Sequence, residues 1–194
     1  MMTRLLKEDF LDLEPFSKIR LTHQGPHTQH CIQKGLKTFK DVCQFIKALP
    51  YGRIDAAASY LDVLAFEKGT CSSKHACLTE IGKELGLEIE LLVIIFWMTE
   101  QTIPQLAKLL DKSPFDAIPE AHCLCRLNGL HIDITFDNNH VPDFGDLIHY
   151  QTMTVSELRF SKVPLHKEWI KKVMPDDPLE QVWAWRERCI EALG

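Results

Sequence analysis

The chain has 194 residues, of which 45% are hydrophobic and 25% charged, and its formal net charge is -5. This size and composition suit a globular domain with a buried core, and the negative charge gives no indication of nucleic-acid binding. The longest apolar run, residues 91–98, is too short to cross a membrane, and charges interrupt the N-terminal residues, unlike a secretory signal. We therefore expect a cytoplasmic protein with neither a nucleic-acid nor a membrane partner.

Seven cysteines are spread along the chain, and their odd number, without an export signal, argues against a disulfide framework. Most are expected to be small buried core residues. A cysteine in a polar setting would therefore stand out from the others. The seven are Cys31, Cys43, Cys71, Cys77, Cys123, Cys125 and Cys189.

Apolar residues at helical spacing first appear after residue 36. Residues 38–49 predict a helix that begins at a capping Thr38 and stops before Pro50. Residues 55–66 form a second helical candidate. The first 36 residues show no regular pattern, so we predict irregular structure there.

The middle of the chain predicts a helix, a strand and a short helix. The first helix should begin at Cys71 and end at Gly86, because glycine commonly terminates helices. Residues 89–98 are rich in β-branched and aromatic side chains, which favours a buried strand. Residues 103–110 predict a short helix.

Asn128-Gly129 predicts a tight hairpin turn between strands at residues 121–127 and 130–136. With these two as loop residues, and with side chains alternating between faces, His122 and Asp133 fall on the same face. They are diagonal neighbours, roughly 7–8 Å apart at the backbone and within side-chain reach.

The other face of the predicted hairpin is wholly apolar and should pack in the core. It includes Cys123 and Cys125, which we interpret as core residues rather than zinc ligands, because no second ligand pair with metal spacing is present. The histidines at 23, 27 and 30 also lack a recognisable metal spacing and are interpreted as part of a solvated loop. We therefore expect no metal and no cofactor.

The C-terminal residues predict helices, forming an extension over about residues 154–194. Asp177-Pro178 should open the last helix, because proline is favoured at a first helical position. Trp183 and Trp185 in this helix are interpreted as packing anchors rather than as a platform for a ligand.

Cys71 is the cysteine whose setting differs from that of a core residue. It is predicted at a helix N-terminus, where N–H groups and the helix dipole stabilise a thiolate and can stabilise an oxyanion. Ser72, Ser73 and Lys74 follow it, so its surroundings are polar and include a positive charge. The position alone fits a half-buried structural cysteine equally well.

His122 and Asp133 complete a candidate site with Cys71. An aspartate can accept the N–H of the imidazole and fix its tautomer, which leaves the other ring nitrogen for the thiol. His131 competes for the role of base, but it lies only two residues from Asp133 on the same strand. His75 follows Cys71 by four residues, on the same helical side, and is expected to pack behind the site.

Three segments resemble the core of the transglutaminase-like superfamily. They are residues 49–52 (Leu-Pro-Tyr-Gly), 69–76 (Gly-Thr-Cys-Ser-Ser-Lys-His-Ala) and 84–87 (Glu-Leu-Gly-Leu). In that family a G-x-C segment opens a helix that ends in leucine-glycine, a strand follows, and a histidine and an aspartate come from the next two strands. By this resemblance the family's triad is Cys71, His122 and Asp133.

The resemblance runs from about residue 49 to 136. Cys123 stands where the family often has an aromatic residue after its histidine, and Ile134 stands where it often has proline after its aspartate. The resemblance implies an α+β, papain-like fold, in which the nucleophile helix packs on an antiparallel sheet. We expect one domain over residues 1–194, with its core at about 38–136.

The resemblance also implies cysteine-dependent acyl transfer on a protein, peptide or small amide. Cys71 attacks the carbonyl, His122 transfers the proton, Asp133 orients His122, and a thioester forms. Hydrolysis is the expected outcome, because water needs no binding site, and transamidation is the other outcome. The alternatives are an acyl-carrier N-acyltransferase, for which no phosphate-cradling glycine run is present, and a non-catalytic binding scaffold of the same fold.

Overall fold

The computed structural model describes residues 3–4, 13–54, 62–135 and 144–193. In these ranges the chain is α+β, with seven α-helices and a four-stranded antiparallel sheet, which confirms the predicted class. The helices are α1 (Pro26–Gln33), α2 (Phe39–Ala48), α3 (Val63–Phe66), α4 (Cys71–Glu84), α5 (Ala107–Leu110), α6 (Val155–Val173) and α7 (Leu179–Ala192). The strands are β1 (Thr3–Arg4), β2 (Ile89–Met98), β3 (Ile118–Leu127), β4 (Leu130–Ile132), β5 (Asp146–Leu147) and β6 (His149–Met153).

The larger sheet has the strand order β4-β3-β2-β6, and β1 pairs with β5 in a separate two-stranded sheet. The two inner strands, β2 and β3, are buried along nearly their whole length. Short 3-10 helices cover Glu14–Lys18 and Pro104–Leu106. The predicted strand at residues 89–98 is confirmed, and a 3-10 turn followed by α5 accounts for the predicted helix at 103–110.

Local signals predicted the start of α2 and the end of α4. In α2 the Thr38 hydroxyl accepts the Asp41 N–H at 3.1 Å, and the Asp41 carboxylate accepts the Thr38 N–H at 2.9 Å. This reciprocal capping fixes the start of the helix. Gly86 ends α4 with φ +72°, a left-handed conformation that glycine adopts without a steric penalty. Residues 55–61 of the second helical candidate lie outside the described residues, and Val63–Phe66 is helical.

Asn128-Gly129 forms the predicted turn, with φ +53° and +82°. Both values are positive, as a type I′ turn requires. The register is also the predicted one, with Leu127 opposite Leu130, as the paired positions Arg126–His131 and Cys125–Ile132 confirm. The hairpin around Asn128-Gly129 is therefore confirmed.

The second strand of the hairpin is shorter than predicted, because β4 ends at Ile132 rather than continuing to 136. Side chains from α4 form hydrogen bonds to the backbone of the segment that follows β4. His75 Nε2 accepts the Ile134 N–H at 3.0 Å, and Lys74 Nζ donates to the Thr135 carbonyl at 2.8 Å. Helix α4 thus holds the backbone of the segment that follows β4, and Phe136 lies outside the described residues.

Irregular structure was predicted for the first 36 residues, and this is wrong for residues 26–33, which form α1. The Glu84 carboxylate accepts the N–H groups of His27 and Thr28 at 3.1 and 2.7 Å and so caps this helix. Gly25 is required at the contact, since a Cβ there would lie 2.4 Å from the Glu84 carboxyl carbon. This cap comes from a residue far along the chain, and it adds to a local signal, Pro26 at the first helical position.

The chain divides into two compact units. Among the described residues, the first unit contains 93–122, 144–193 and β1, and the second contains 13–54, 62–92 and 123–135. The single-domain organisation stays a prediction. No helix in the described ranges is both long enough and apolar enough to span a membrane.

The first unit is held by an apolar cluster between β2, β3 and the C-terminal helices. Trp183 and Trp185 pack against this cluster, which confirms their predicted role as anchors. Helix α7 begins after Pro178, as predicted. The cluster consists of Met98, Leu106, Ile118, Ile170, Val182 and Cys189.

The second unit is built around α4, which is buried on nearly every side over residues 71–82. Its contact with β2 depends on Gly82, because a Cβ at that position would lie 2.7 Å from Ile89 Cγ2. Helix α4 is therefore a central helix, and its first residue is Cys71.

Candidate active site

Cys71 is the first residue of α4, and its side chain is nearly buried, with 5% exposed. Thr70 is the N-cap residue, and its N–H donates to Ser73 Oγ at 2.9 Å. The predicted position at a helix N-terminus is confirmed. A thiol there lies next to the positive end of the helix dipole, which favours the thiolate.

The backbone before Cys71 is held by the segment around Tyr51. Gly69 donates its N–H to the Pro50 carbonyl at 3.1 Å, and the Gly69 carbonyl accepts the Gly52 N–H at 3.2 Å. A Cβ on Gly69 would lie 2.7 Å from Ser73 Oγ, so this close approach requires glycine. Residues 49–52 and 69–76, two of the segments that resemble the family, therefore lie side by side in this fold.

Lys74 does not present its charge to solvent beside Cys71, because its side chain is fully buried. The ammonium donates to three backbone carbonyls, those of Lys47, Leu49 and Thr135, at 3.2, 2.7 and 2.8 Å. Lys74 therefore joins the end of α2 to the segment that follows β4. We assign it a structural role in positioning Asp133.

His75 is fully buried one turn after Cys71, and both of its ring nitrogens form hydrogen bonds. Nε2 must accept from the Ile134 backbone N–H at 3.0 Å, because that group can only donate. The proton is therefore on Nδ1, which donates to the Cys71 carbonyl at 2.8 Å. In this arrangement His75 is a neutral imidazole that fixes the backbone of Cys71 relative to that of Ile134.

Asp133 lies directly after β4, and its side chain is 6% exposed. One carboxylate oxygen, Oδ1, lies 3.6 Å from His75 Nε2 and accepts the Thr135 N–H at 2.9 Å. The distance to His75 is longer than a hydrogen bond, as expected if that nitrogen already accepts the Ile134 N–H. The second unit therefore brings the first turn of α4 and the Asp133 carboxylate together around His75.

His122 lies on β3 in the first unit, and its side chain is 8% exposed. Its ring packs against Phe144 at a centroid distance of 5.2 Å and edge-on against Phe96 at 6.3 Å. His122 is therefore buried and does not lie on an exposed surface of the sheet. A buried imidazole between aromatic rings is shielded from water, a setting that enzymes use for proton transfer.

Cys123 and Cys125 point from β3 toward α4, as expected for the apolar face of the hairpin. Cys123 Sγ lies 3.5 Å from Ser72 Oγ, and Cys125 Sγ lies 3.3 Å from Thr79 Oγ1. Both cysteines are fully buried, which confirms their predicted place in the core.

Burial also suppresses ionisation of most other thiols. It raises the pKa of Cys31 and Cys125 to about 12 and that of Cys189 to about 11. It raises the pKa of Cys43 and Cys77 well above the ordinary thiol value. These five cysteines are poor nucleophiles at neutral pH, because the thiolate is the reactive form.

His131, the competitor for the role of base, lies opposite Arg126 as the register predicted. It is partly exposed near the turn end of the hairpin. Arg126 itself forms a bidentate ion pair with Glu90 at 2.7 and 3.0 Å. The end of the hairpin thus carries an exposed charged cluster, whereas His122 is buried.

The structural roles of Lys74 and His75 could not be predicted from the sequence. The sequence indicated only that Lys74 places a positive charge near the thiol and that His75 packs behind the site. Their spacing of three and four residues from Cys71 was the available signal, since it puts all three on one side of α4. Among the described residues no group of three or more His, Cys, Asp or Glu side chains could hold a metal ion.

No protein-family model, no curated protein and no solved structure matches the chain. The resemblance to the transglutaminase-like superfamily therefore stays a prediction that depends on the residues themselves.

Proposed function

We propose that this protein is a cysteine-dependent acyl-transfer enzyme with a transglutaminase-like site on a papain-like fold. Its substrate is an amide or peptide carbonyl, and the intermediate is a thioester on Cys71. The observation that carries the proposal is the position of Cys71 at the first residue of a buried helix. His75 contacts the Cys71 carbonyl through Nδ1, and its Nε2 lies 3.6 Å from the Asp133 carboxylate. A helix N-terminus favours the thiolate that such chemistry requires.

His122 is the proposed general base. It would accept the thiol proton and later return it to the leaving amine, with Asp133 stabilising the charged imidazole. One observation supports the choice of His122 over His75: both ring nitrogens of His75 are already used by backbone groups.

The oxyanion would be stabilised at the start of α4. The N-terminal turn of a helix presents N–H groups and the positive end of the helix dipole, which favour a developing negative charge. Removing one such donor from an acyl-transfer enzyme costs roughly 100–1,000-fold in kcat. Hydrolysis is the proposed outcome because water needs no binding site, and a protein, peptide or small amide in the cytoplasm is the proposed substrate.

Trapping of the acyl-enzyme tests this proposal. The native protein is incubated with p-nitrophenyl acetate, release of p-nitrophenol is followed, and the acid-quenched protein is mapped by mass spectrometry. We expect a burst of one equivalent with the acetyl group on Cys71, and hydroxylamine should remove that group.

Cys71→Ser should abolish the burst, and Cys77→Ser should retain it, because Cys77 is a buried cysteine of the same helix. An absent burst, or acetylation at other cysteines only, would contradict the proposal.

A further inference from the structure

Cys71 and Cys123 lie on either side of one hydroxyl group. Ser72 Oγ is 3.9 Å from Cys71 Sγ and 3.5 Å from Cys123 Sγ. The two sulfur atoms are therefore no further apart than the sum of these distances. Both cysteines are reduced, and all three residues belong to the second unit.

The two cysteines differ in solvent exposure and in position, as expected for a reactive thiol and a second thiol that resolves its oxidised form. Cys71 is 5% exposed at the N-terminus of α4, whereas Cys123 is fully buried on β3. Cys125, two residues further along the same strand, has a different environment, because its sulfur contacts Thr79 Oγ1 at 3.3 Å and the His75 carbonyl at 3.5 Å.

We propose that Cys71 and Cys123 are a peroxide-responsive pair, in which Cys123 resolves an oxidised Cys71 as an intramolecular disulfide. The proposal rests on the proposed function, since it assigns a regulation to the same nucleophile. Formation of the disulfide occupies the sulfur that would form the thioester, so acyl transfer stops until a thiol reductant restores both cysteines.

The chemistry needs hydrogen peroxide as oxidant and proceeds in two balanced steps. The Cys71 thiolate attacks one peroxide oxygen, the O–O bond breaks, and the products are the Cys71 sulfenic acid and hydroxide. The Cys123 sulfur then attacks the Cys71 sulfur, the S–O bond breaks, and the hydroxyl group leaves with the Cys123 proton as water. Two thiols are oxidised to one disulfide while one peroxide is reduced to two equivalents of water overall.

A disulfide requires an S–S distance of about 2.05 Å, so the two residues must move together. The movement falls on Cys71, the first residue of its helix, because helix ends open more easily than helix centres. The Ser72 side chain must also rotate away from its place between the sulfur atoms. Resolution in this way would prevent further oxidation of Cys71 to sulfinic acid, which is not reversed by thiols.

The test is a hydrogen peroxide titration of the full-length wild type, Cys123→Ser and Cys125→Ser. Intact mass, peptide mapping without reduction and acyl-transfer activity are measured before and after dithiothreitol. Cys123→Ala is included, and thermal melts check that every variant is folded. In the wild type and Cys125→Ser we expect the loss of two hydrogens, one cross-linked peptide pair joining Cys71 to Cys123, and complete recovery of activity with dithiothreitol.

In Cys123→Ser and Cys123→Ala, Cys71 should proceed to sulfinic and sulfonic acids, and activity should not recover. Sulfinic acid at Cys71 in the wild type at the same rate as in Cys123→Ser overturns the pairing, and so does a disulfide between other cysteines. These outcomes leave the acyl-transfer proposal standing, since Cys71 still reacts. If peroxide does not oxidise the Cys71 thiol, the pairing is overturned, and the result also counts against an activated nucleophile. The p-nitrophenyl acetate burst then tests the nucleophile independently.

Discussion

His75 Nε2 lies 3.6 Å from Asp133 Oδ1 while it accepts the backbone N–H of Ile134 at 3.0 Å. The imidazole therefore acts as a neutral link between the turn of Cys71 and the segment that carries Asp133. A general base needs a ring nitrogen that can take up a proton, and His75 would lose a buried hydrogen bond by doing so. This relationship is why His122, rather than His75, is proposed for proton transfer, and why His75 is given a positioning role.

Substitution of His75 should act mainly on stability. His75→Ala leaves two buried backbone groups without their side-chain partner, and we expect it to lower the free energy of unfolding by about 2–4 kcal/mol. His75→Asn should cost less, because its amide can still donate to the Cys71 carbonyl. Urea unfolding of both variants measures the difference, with exposed His23→Ala as the control. Equal stability of His75→Ala and the wild type would refute the linking role.

Lys74 should tolerate neither an apolar nor an arginine side chain. Lys74→Met leaves three carbonyl groups without their donor, and we expect a loss of about 2–4 kcal/mol in the free energy of unfolding. Lys74→Arg should also destabilise, because a planar guanidinium cannot replace a point charge at the centre of three converging carbonyls. Lys83→Met, an exposed position of the same helix, is the matched control and should change little. The prediction fails if Lys74→Met unfolds at the same urea concentration as Lys83→Met.

Glu84 should make α1 sensitive to acid. Burial alone would raise the pKa of Glu84, but hydrogen bonds from Thr28 and His27 outweigh it and hold the pKa below the ordinary value. A carboxylate with a depressed folded-state pKa adds stability above its unfolded pKa of about 4.3, and this stability is lost as pH falls through the folded value.

Glu84→Gln should therefore be less stable than the wild type by about 1–3 kcal/mol at neutral pH and equal to it in acid. Urea unfolding at both pH values measures this, and Glu88→Gln, an exposed carboxylate beyond the end of α4, is the control. A difference that persists unchanged in acid would mean that the carboxylate charge is not the cause.

The Glu120–Arg186 pair should couple β3 to α7. Arg186 donates to both Glu120 oxygens at 2.7 Å, and Glu120 is 3% exposed. Burial would raise the pKa of Glu120, but the charge of Arg186 outweighs it, so the pKa is lowered. Removing one partner of such a pair leaves a buried charge uncompensated and should cost about 3–5 kcal/mol.

A double-mutant cycle of Glu120→Gln and Arg186→Met measures this coupling. The double variant should lose clearly less free energy of unfolding than the sum of the losses of the two single variants, because no unpaired charge remains in it. The exposed Lys83–Glu80 pair provides the comparison and should show a coupling below about 1 kcal/mol. Additive losses at Glu120 and Arg186 would show that the pair contributes nothing beyond its separate residues.

Elements with local signals could be predicted from the sequence alone. Thr38 and Pro50 bound α2, Gly86 ends α4, and Asn128-Gly129 fixes the hairpin register, because each acts through residues within a few positions of itself. The early end of β4 could not be predicted in this way, because it depends on His75 and Lys74, which precede it by many residues.

The candidate site was predictable only in part for the same reason. The position of Cys71 at a helix N-terminus follows from local pattern, and so does the burial of Cys123 and Cys125 on one face of β3. Lysine is normally exposed, so no sequence rule predicts that Lys74 is fully buried. The predicted strand through residue 136 also ends early, at Ile132, so Asp133 lies just beyond β4.

The most direct test of the proposed nucleophile is iodoacetamide alkylation of the native protein as a function of pH. Modification of each cysteine is measured by mass spectrometry in the wild type and in His122→Ala. The five cysteines with raised pKa values are internal controls and should stay unmodified. We expect Cys71 to react rapidly well below the ordinary thiol pKa of about 8.5, and we expect His122→Ala to remove this reactivity. A Cys71 that reacts no faster than the controls, or equally fast in both proteins, would contradict the triad and favour a non-catalytic binding scaffold.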